Sequence, residues 1–186
     1  YFQEKNFSNV LNVLLKPIES QTHPTLKNIL LIGKSYLKMA KYDEALKFLQ
    51  IAEKMKGIQH TEVLYTLFMV HYQMGNIPLA AKYLKQAIEK NPSFFGYHSR
   101  LGSLYFDSGR YEEALEEFGQ SLKLHPNDPK ILLLSGLAYL RISNAEKARE
   151  MFNAVLRLQP GNKMARKMLA QLSIAESSTL GKVQVE

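Results

Sequence analysis

The sequence predicts an all-α fold in which antiparallel helix pairs stack in series. The first observation is a turn residue that recurs at intervals of 35, 34 and 34 residues. The four turn residues are Ala40, Gly75, Gly109 and Ser143. The second observation is a small residue after each turn, in the column Ala45, Ala80, Ala114 and Ala148. Self-similarity at this period is typical of repeat proteins, whose units bury their apolar faces only against neighbouring copies.

The third copy shows how each repeat forms two helices. Leu101, Gly102 and Tyr105 lie at helical spacing on one apolar stripe, and "DSG" ends that helix at Gly109. A second stripe comprises Tyr111, Ala114, Phe118 and Leu122, and it ends at "HPND". We expect Gly102 to be small because the two helices approach closely there. We expect Phe118 to be large because it fills the gap towards the neighbouring hairpin.

This pattern resembles the tetratricopeptide repeat. The matching residues of the third copy are Leu101, Gly102, Tyr105, Gly109, Tyr111, Ala114, Phe118 and Pro126. The fourth copy keeps Gly136, Tyr139, Ala148, Phe152 and Pro160. The second copy departs from the pattern, with Phe68 at the small position and His71 at the tyrosine position. The resemblance implies a right-handed superhelical solenoid of four repeats, over residues 26–60, 61–94, 95–128 and 129–162.

The flanking segments are interpreted separately. The opening "YFQ" resembles the end of a protease-cleavable expression tag, and residues 6–18 are typical of the second helix of a preceding repeat. Residues 1–25 are therefore predicted to be a tag remnant followed by a truncated repeat. Residues 163–176 are predicted to form a capping helix, and residues 177–186 a short mobile tail.

Composition excludes several classes of protein. The chain contains no cysteine, so disulfides and thiolate metal sites are excluded. Its longest apolar runs are only a few residues, which predicts no membrane span. The net charge is +7, of which the four repeats carry +4, +1, −3 and +3, together +5. Because the acidic third repeat interrupts the basic surface, nucleic acid is disfavoured as a partner. The composition does not indicate a cellular compartment for the protein.

The residues that could carry chemistry form no catalytic constellation. His71 and His98 lie on the first helices of adjacent repeats, in positions where the family has aromatic residues. A two-histidine metal or pH-sensing site is one interpretation, and half-buried ring substitution is the favoured one. The acidic run 112–117 is interpreted as a solvated face near a helix N-terminus. The sequence therefore predicts a protein that is not an enzyme and has no cofactor or metal.

A partner-binding surface is predicted instead. The resemblance implies that first helices line a concave surface, where apolar anchors beside cations would suit a protein or peptide segment. The predicted partner-binding residues are Lys34, Tyr65, Met69, Tyr72, Arg100, Phe106, Leu137 and Arg141. Other inward positions include Leu30, Leu37, Lys38 and Gln73. Leu133 and Leu140 are expected only to pack between neighbouring first helices.

Three alternatives to a general peptide groove are weighed. Some family members clamp the C-terminal carboxylates of heat-shock chaperones, but only Arg100 matches the clamp columns. The residues in those columns are Leu30, Lys34, Thr66, Gly96 and Arg100. The chain could also be the substrate-recognition arm of a larger enzyme, or a structural scaffold that self-associates.

Overall fold

A computed structural model describes residues 25–55 and 60–183, with side chains up to residue 175. The helices in these ranges are α1 Leu26–Lys38, α2 Tyr42–Lys54, α3 His60–Gln73, α4 Ile77–Lys90, α5 Phe95–Asp107, α6 Tyr111–Leu124, α7 Pro129–Arg141, α8 Ala145–Leu158 and α9 Lys163–Val183. Each of the four repeat intervals thus holds one helix pair, and the predicted all-α helix-pair fold is confirmed. The predictions for residues 1–24 lie outside the described residues.

The chain divides into two compact units, Tyr1–Pro92 and Ser93–Glu186, called unit 1 and unit 2. In unit 1, α1 pairs with α2 and α3 with α4, while α2 packs on α3 and α1 touches α3. Its core is a cluster of buried apolar residues from these helices. The cluster includes Ile29, Leu30, Leu49, Val63, Leu67 and Val70.

Unit 2 repeats this arrangement with one helix more. The pairs are α5 with α6 and α7 with α8, α6 packs on α7, and α9 closes against α8. Phe152 and Val155 of α8 form a buried cluster with Leu172 of α9. The last helix therefore covers an apolar face that the fourth pair could not bury alone.

The turn inside every pair has the same backbone geometry. The second residue after the first helix has a positive φ in all four cases: 55° at Ala40, 73° at Gly75, 75° at Gly109 and 60° at Ser143. The next N–H bonds back to a carbonyl five residues earlier, as from Lys41 to Tyr36 at 3.0 Å. This Schellman arrangement satisfies carbonyls that would otherwise be left unpaired at the helix end. The turn residue therefore recurs in the sequence because each turn requires a left-handed backbone conformation at that position.

The small residue on the first helix is required by its own hairpin. A Cβ added to Gly102 would lie 2.5 Å from the ring of Phe118, and one on Gly136 would lie 2.6 Å from Phe152. In the first pair, Gly33 faces Leu49 in the same way, at 2.8 Å. The sequence analysis assigned Phe118 to the gap between hairpins. Its ring lies directly over Gly102 of the same hairpin, so the two columns are complementary.

The ninth helix is longer than predicted. It spans Lys163–Val183, so residues 177–183, expected as part of a tail, are helical. Residues 177–183 contain no proline and a single glycine, Gly181. The local sequence therefore has no signal that ends the helix at residue 176. Among the described residues, no helix is both long enough and apolar enough to cross a bilayer.

Candidate functional site

The candidate site is an open groove between the first helices of unit 1, called here the α1–α3 groove. Its volume is about 590 Å³, within the range of small-ligand and peptide-anchor pockets. The residues that line it are Lys34, Leu37, Lys38, Ala40, Tyr42, Glu62, Tyr65, Thr66, Met69 and Gln73.

Helical periodicity brings these residues together. Lys34, Leu37 and Lys38 lie three and four positions apart on α1, and therefore share one face. On α3, Glu62, Thr66 and Met69 follow the same spacing. Because α1 and α3 are in contact, the two faces form the walls of the groove. Ala40 and Tyr42, which follow the end of α1, complete its lining.

The charges of the groove are unequal. The Lys34 ammonium and the Glu62 carboxylate form an ion pair across the groove. Lys38 lies one turn further along α1, is exposed, and has no partner among the described residues. The Thr66 hydroxyl donates to the Glu62 carbonyl at 2.7 Å, and so is already satisfied within its own helix. The groove therefore presents one unpaired cation beside a mainly apolar wall.

An aromatic row on α3 borders the groove. The ring centroids of Tyr65 and Phe68 are 5.5 Å apart, and those of Phe68 and Tyr72 are 5.9 Å apart. Phe68 is buried, whereas Tyr72 is 39% exposed. Phe68, which departs from the small residue of the repeat pattern, thus supports the tyrosine that lines the groove.

The structure brings some of the predicted partner-binding residues together. Lys34, Tyr65 and Met69 all line the groove. Tyr72 lies beyond Phe68 and is not part of the lining. The other four predicted residues, Arg100, Phe106, Leu137 and Arg141, belong to α5 and α7 of unit 2.

The unit 2 residues differ among themselves. Phe106 packs edge-on against Tyr111 of its own hairpin, with ring centroids 5.5 Å apart. Leu137 is partly buried against the core, as are Leu133 and Leu140, which the sequence analysis expected to pack. Arg100 and Arg141 are exposed.

One residue of the groove was not predicted from the sequence, and another was placed wrongly. Glu62 is the ion-pair partner of Lys34, and its position in the first turn of α3 is the signal that could have revealed it. Leu30, taken as an inward contact, is only 3% exposed and belongs to the core. That burial, together with the bonded Thr66 hydroxyl and the paired Lys34, further disfavours a chaperone-tail clamp.

The two histidines have separate ring environments. His71 is buried and stacks on Tyr83, with centroids 5.4 Å apart and planes 7° apart. His98 is half-buried, with Nδ1 2.8 Å from a carboxylate oxygen of Glu117. No group of three or more potential ligand residues that could hold a metal occurs in the part of the chain that is described. These contacts favour aromatic substitution over a shared metal site.

The acidic run on α6 is engaged locally. Glu113 receives hydrogen bonds from the Arg110 guanidinium, including one from Nε at 2.9 Å, and Glu117 faces His98. Glu112 and Glu116 are exposed. Glu112 and Glu116 therefore match the predicted solvated face, whereas Glu117 does not, because its side chain is only 19% exposed and contacts His98.

Comparison with known proteins establishes the family. The tetratricopeptide repeat model matches residues 65–129, 99–163 and 133–176, and a second model of the same repeat matches residues 28–54. The chain belongs to the tetratricopeptide-repeat family. Proteins of this family generally act as non-enzymatic scaffolds for protein interaction, which supports the general function predicted from the sequence.

Individual relatives agree with this assignment. A TPR repeat-containing protein of Methanocaldococcus jannaschii is 31% identical over 165 residues, covering 87% of this chain and 28% of the relative. The C-terminal part of a TPR protein from Cytophaga hutchinsonii has a TM-score of 0.83 at 20% identity, covering 96% and 70% of the two chains. YrrB, described as a TPR protein with an unusual peptide-binding site, has a TM-score of 0.73 at 23% identity, covering 88% and 83%. The chain thus spans just over a quarter of its M. jannaschii relative.

Proposed function

We propose that the α1–α3 groove binds a segment of another protein that carries an apolar side chain next to an acidic residue. The observation that carries this proposal is the open, mainly apolar cavity beside the unpaired Lys38. The domain would then act as a scaffold, and its binding free energy would come from interface burial.

The apolar part of the groove suits an anchor side chain. Leu37, Tyr65 and Met69 offer aliphatic, aromatic and thioether surface around one cavity. A methionine can adjust its three rotatable bonds to ligands of different shape, and a tyrosine orders at low entropic cost. The groove therefore favours a hydrophobic anchor without demanding a single residue type.

The charged part of the groove sets the polarity of the ligand. Lys34 is neutralised by Glu62, so an incoming carboxylate would pair with Lys38 one turn away. Such an exposed ion pair adds specificity and association rate more than affinity. YrrB, a TPR protein of similar fold with an unusual peptide-binding site, supports this kind of function.

The test is selection of peptides from a random library on the purified chain, followed by affinity measurement with variants. Met69→Glu would place a carboxylate inside the apolar wall, and we expect it to weaken the selected peptides at least tenfold, about 1.4 kcal/mol. Tyr65→Ala should also weaken binding of the selected peptides. Lys82→Glu is the matched control, because Lys82 is exposed on α4 and does not line the groove.

The outcome against the proposal is equally defined. If every selected peptide binds Met69→Glu and wild type with equal affinity, while circular dichroism shows both folded, the groove is not the binding site.

We also propose the exposed cations of unit 2, Arg100 and Arg141, as a further contact for an acidic partner, with Phe106 and Leu137 on the same two helices as apolar contacts. Both guanidiniums can engage a carboxylate bidentately. A variant with both arginines replaced by glutamine should bind an acidic partner more weakly at low salt. Equal binding by this variant would remove unit 2 from the binding surface.

A further inference from the structure

His71 occupies an environment that favours its neutral form. The residue is 8% exposed, and its Nδ1 atom is buried without a hydrogen-bond partner among the residues that the structure describes. One face of the ring lies flat against Tyr83 of α4. A neutral imidazole can leave Nδ1 unprotonated, at the modest cost of an unpaired acceptor.

Protonation of the His71 ring would cost free energy in this environment. In an imidazolium both ring nitrogens carry a hydrogen, so Nδ1 would become a buried donor with no acceptor. The positive charge would also lose hydration. Stacking on Tyr83 provides neither a hydrogen bond to Nδ1 nor a full counter-charge.

Among the described residues, Tyr83 contacts the ring of His71, and Glu53 acts on its charge from the packed helix α2. Tyr83 of α4 has a pKa raised by burial, so it stays neutral near pH 7. Glu53 of α2 is the nearby negative charge and favours the imidazolium. Burial outweighs Glu53, and the pKa of His71 lies below its ordinary value.

The histidines of unit 2 are placed differently. Nδ1 of His98 lies 2.8 Å from a carboxylate oxygen of Glu117, so this ring nitrogen has a hydrogen-bond partner. His125 is exposed and stacks on Phe95, with centroids 4.8 Å apart. Neither residue combines burial with an unpaired ring nitrogen.

We propose that His71 makes the second hairpin, α3–α4, sensitive to acid: the buried, unpaired ring destabilises this hairpin when it takes up a proton. A group whose pKa is lower in the folded than in the unfolded state stabilises the fold above the unfolded value, about 6.5 for histidine. As the pH falls below that value, the unfolded chain binds the proton first and the stabilisation is lost.

The experiment follows the folding equilibrium of the 186-residue chain by urea denaturation between about pH 7.5 and pH 5.5. Wild type is compared with His71→Tyr, which restores the aromatic residue of the repeat pattern, and with the control His125→Gln. The folding constant of wild type should fall up to about tenfold more than that of His71→Tyr over this range, the limit for one histidine proton. His125→Gln should behave as wild type.

A second measurement needs no variant. The proton resonances of the imidazole rings are titrated in the folded wild type, where His71 should give a pKa below about 6.5. Amides of α3 and α4 should also exchange faster at the lower pH, after correction for the intrinsic rate. A His71 pKa at or above the ordinary value, or the same pH dependence in wild type and His71→Tyr, would overturn the proposal.

Discussion

The same surface is built twice in this chain, once from α1 and α3 in unit 1 and once from α5 and α7 in unit 2. The turn residues show which positions of the two units correspond in sequence. Ala40 corresponds to Gly109, and Gly75 corresponds to Ser143. At matching positions, unit 1 has Lys38, Gln73 and Glu62 where unit 2 has Asp107, Arg141 and Lys130. Met69 of the groove corresponds to Leu137, which packs against the core. Two surfaces built at matching repeat positions therefore carry different charges.

The difference teaches which columns the fold constrains. The left-handed turn occurs in all four pairs, and Gly33 with Leu49 repeats the fit of Gly102 with Phe118. These residues lie between packed helices, where a change of volume is costly. Residues on the open face contact solvent and can change sign without disturbing the hairpin. Residues between packed helices therefore indicate the fold, whereas residues on the open face indicate the kind of ligand.

The largest expected effect concerns the packing columns. Phe118→Ala would leave a cavity beside Gly102 and should lower the free energy of unfolding by about 3–5 kcal/mol. Phe118→Leu, which gives unit 2 the glycine–leucine pair of the first hairpin, should cost only about 1 kcal/mol. Urea denaturation measures both. Equal losses would show that the glycine–aromatic fit is not what stabilises unit 2.

The next effect tests the difference between the two surfaces. Lys38→Asp introduces the residue that unit 2 has at the matching position, and should weaken an acidic peptide bound to the α1–α3 groove about three- to tenfold at low salt, about 0.7–1.4 kcal/mol. The matched control is Asp107→Lys in unit 2, which should not weaken that peptide. Fluorescence anisotropy at two salt concentrations gives the measurement. If Lys38→Asp binds as wild type does, the polarity assigned to the groove is wrong.

A smaller effect is expected at the turns. Ala40 and Ser143 hold a positive φ without being glycine, which strains the backbone. Ala40→Gly and Ser143→Gly should each raise the free energy of unfolding by about 0.5–1 kcal/mol, and Gly75→Ala and Gly109→Ala should lower it by a similar amount. A Cβ at either glycine would have no neighbouring atom within 4 Å, so the loss would come from backbone conformation alone. Destabilisation by Ala40→Gly in urea would contradict this account.

The smallest effect is expected at the ion pair. Lys34 and Glu62 are both substantially exposed, so Glu62→Gln should change the free energy of unfolding by at most about 1 kcal/mol. The same variant frees the Lys34 ammonium, and should therefore strengthen binding of an acidic peptide to the groove. Loss of peptide binding in a folded Glu62→Gln protein would mean that Glu62 itself contacts the ligand.

The sequence by itself determined the repeat, the helix pairs and the turn positions. These depend on spacing within one helix or one turn, as at Gly75 and Gly109, and local geometry repeats wherever the sequence does. The resemblance to the tetratricopeptide repeat, read from the same columns, also implied that Lys34, Tyr65 and Met69 lie on one surface formed by the first helices.

Only the tertiary structure decided which charges are free and which apolar residues are accessible. The pairing of Lys34 with Glu62 joins two helices, and no spacing along the chain encodes a contact between side chains 28 positions apart. The burial of Leu30, the fit of Phe118 over Gly102 and the unpaired nitrogen of His71 depend in the same way on neighbouring helices. Local sequence sets the direction of each side chain, whereas the atoms that it meets are set by packing between helices.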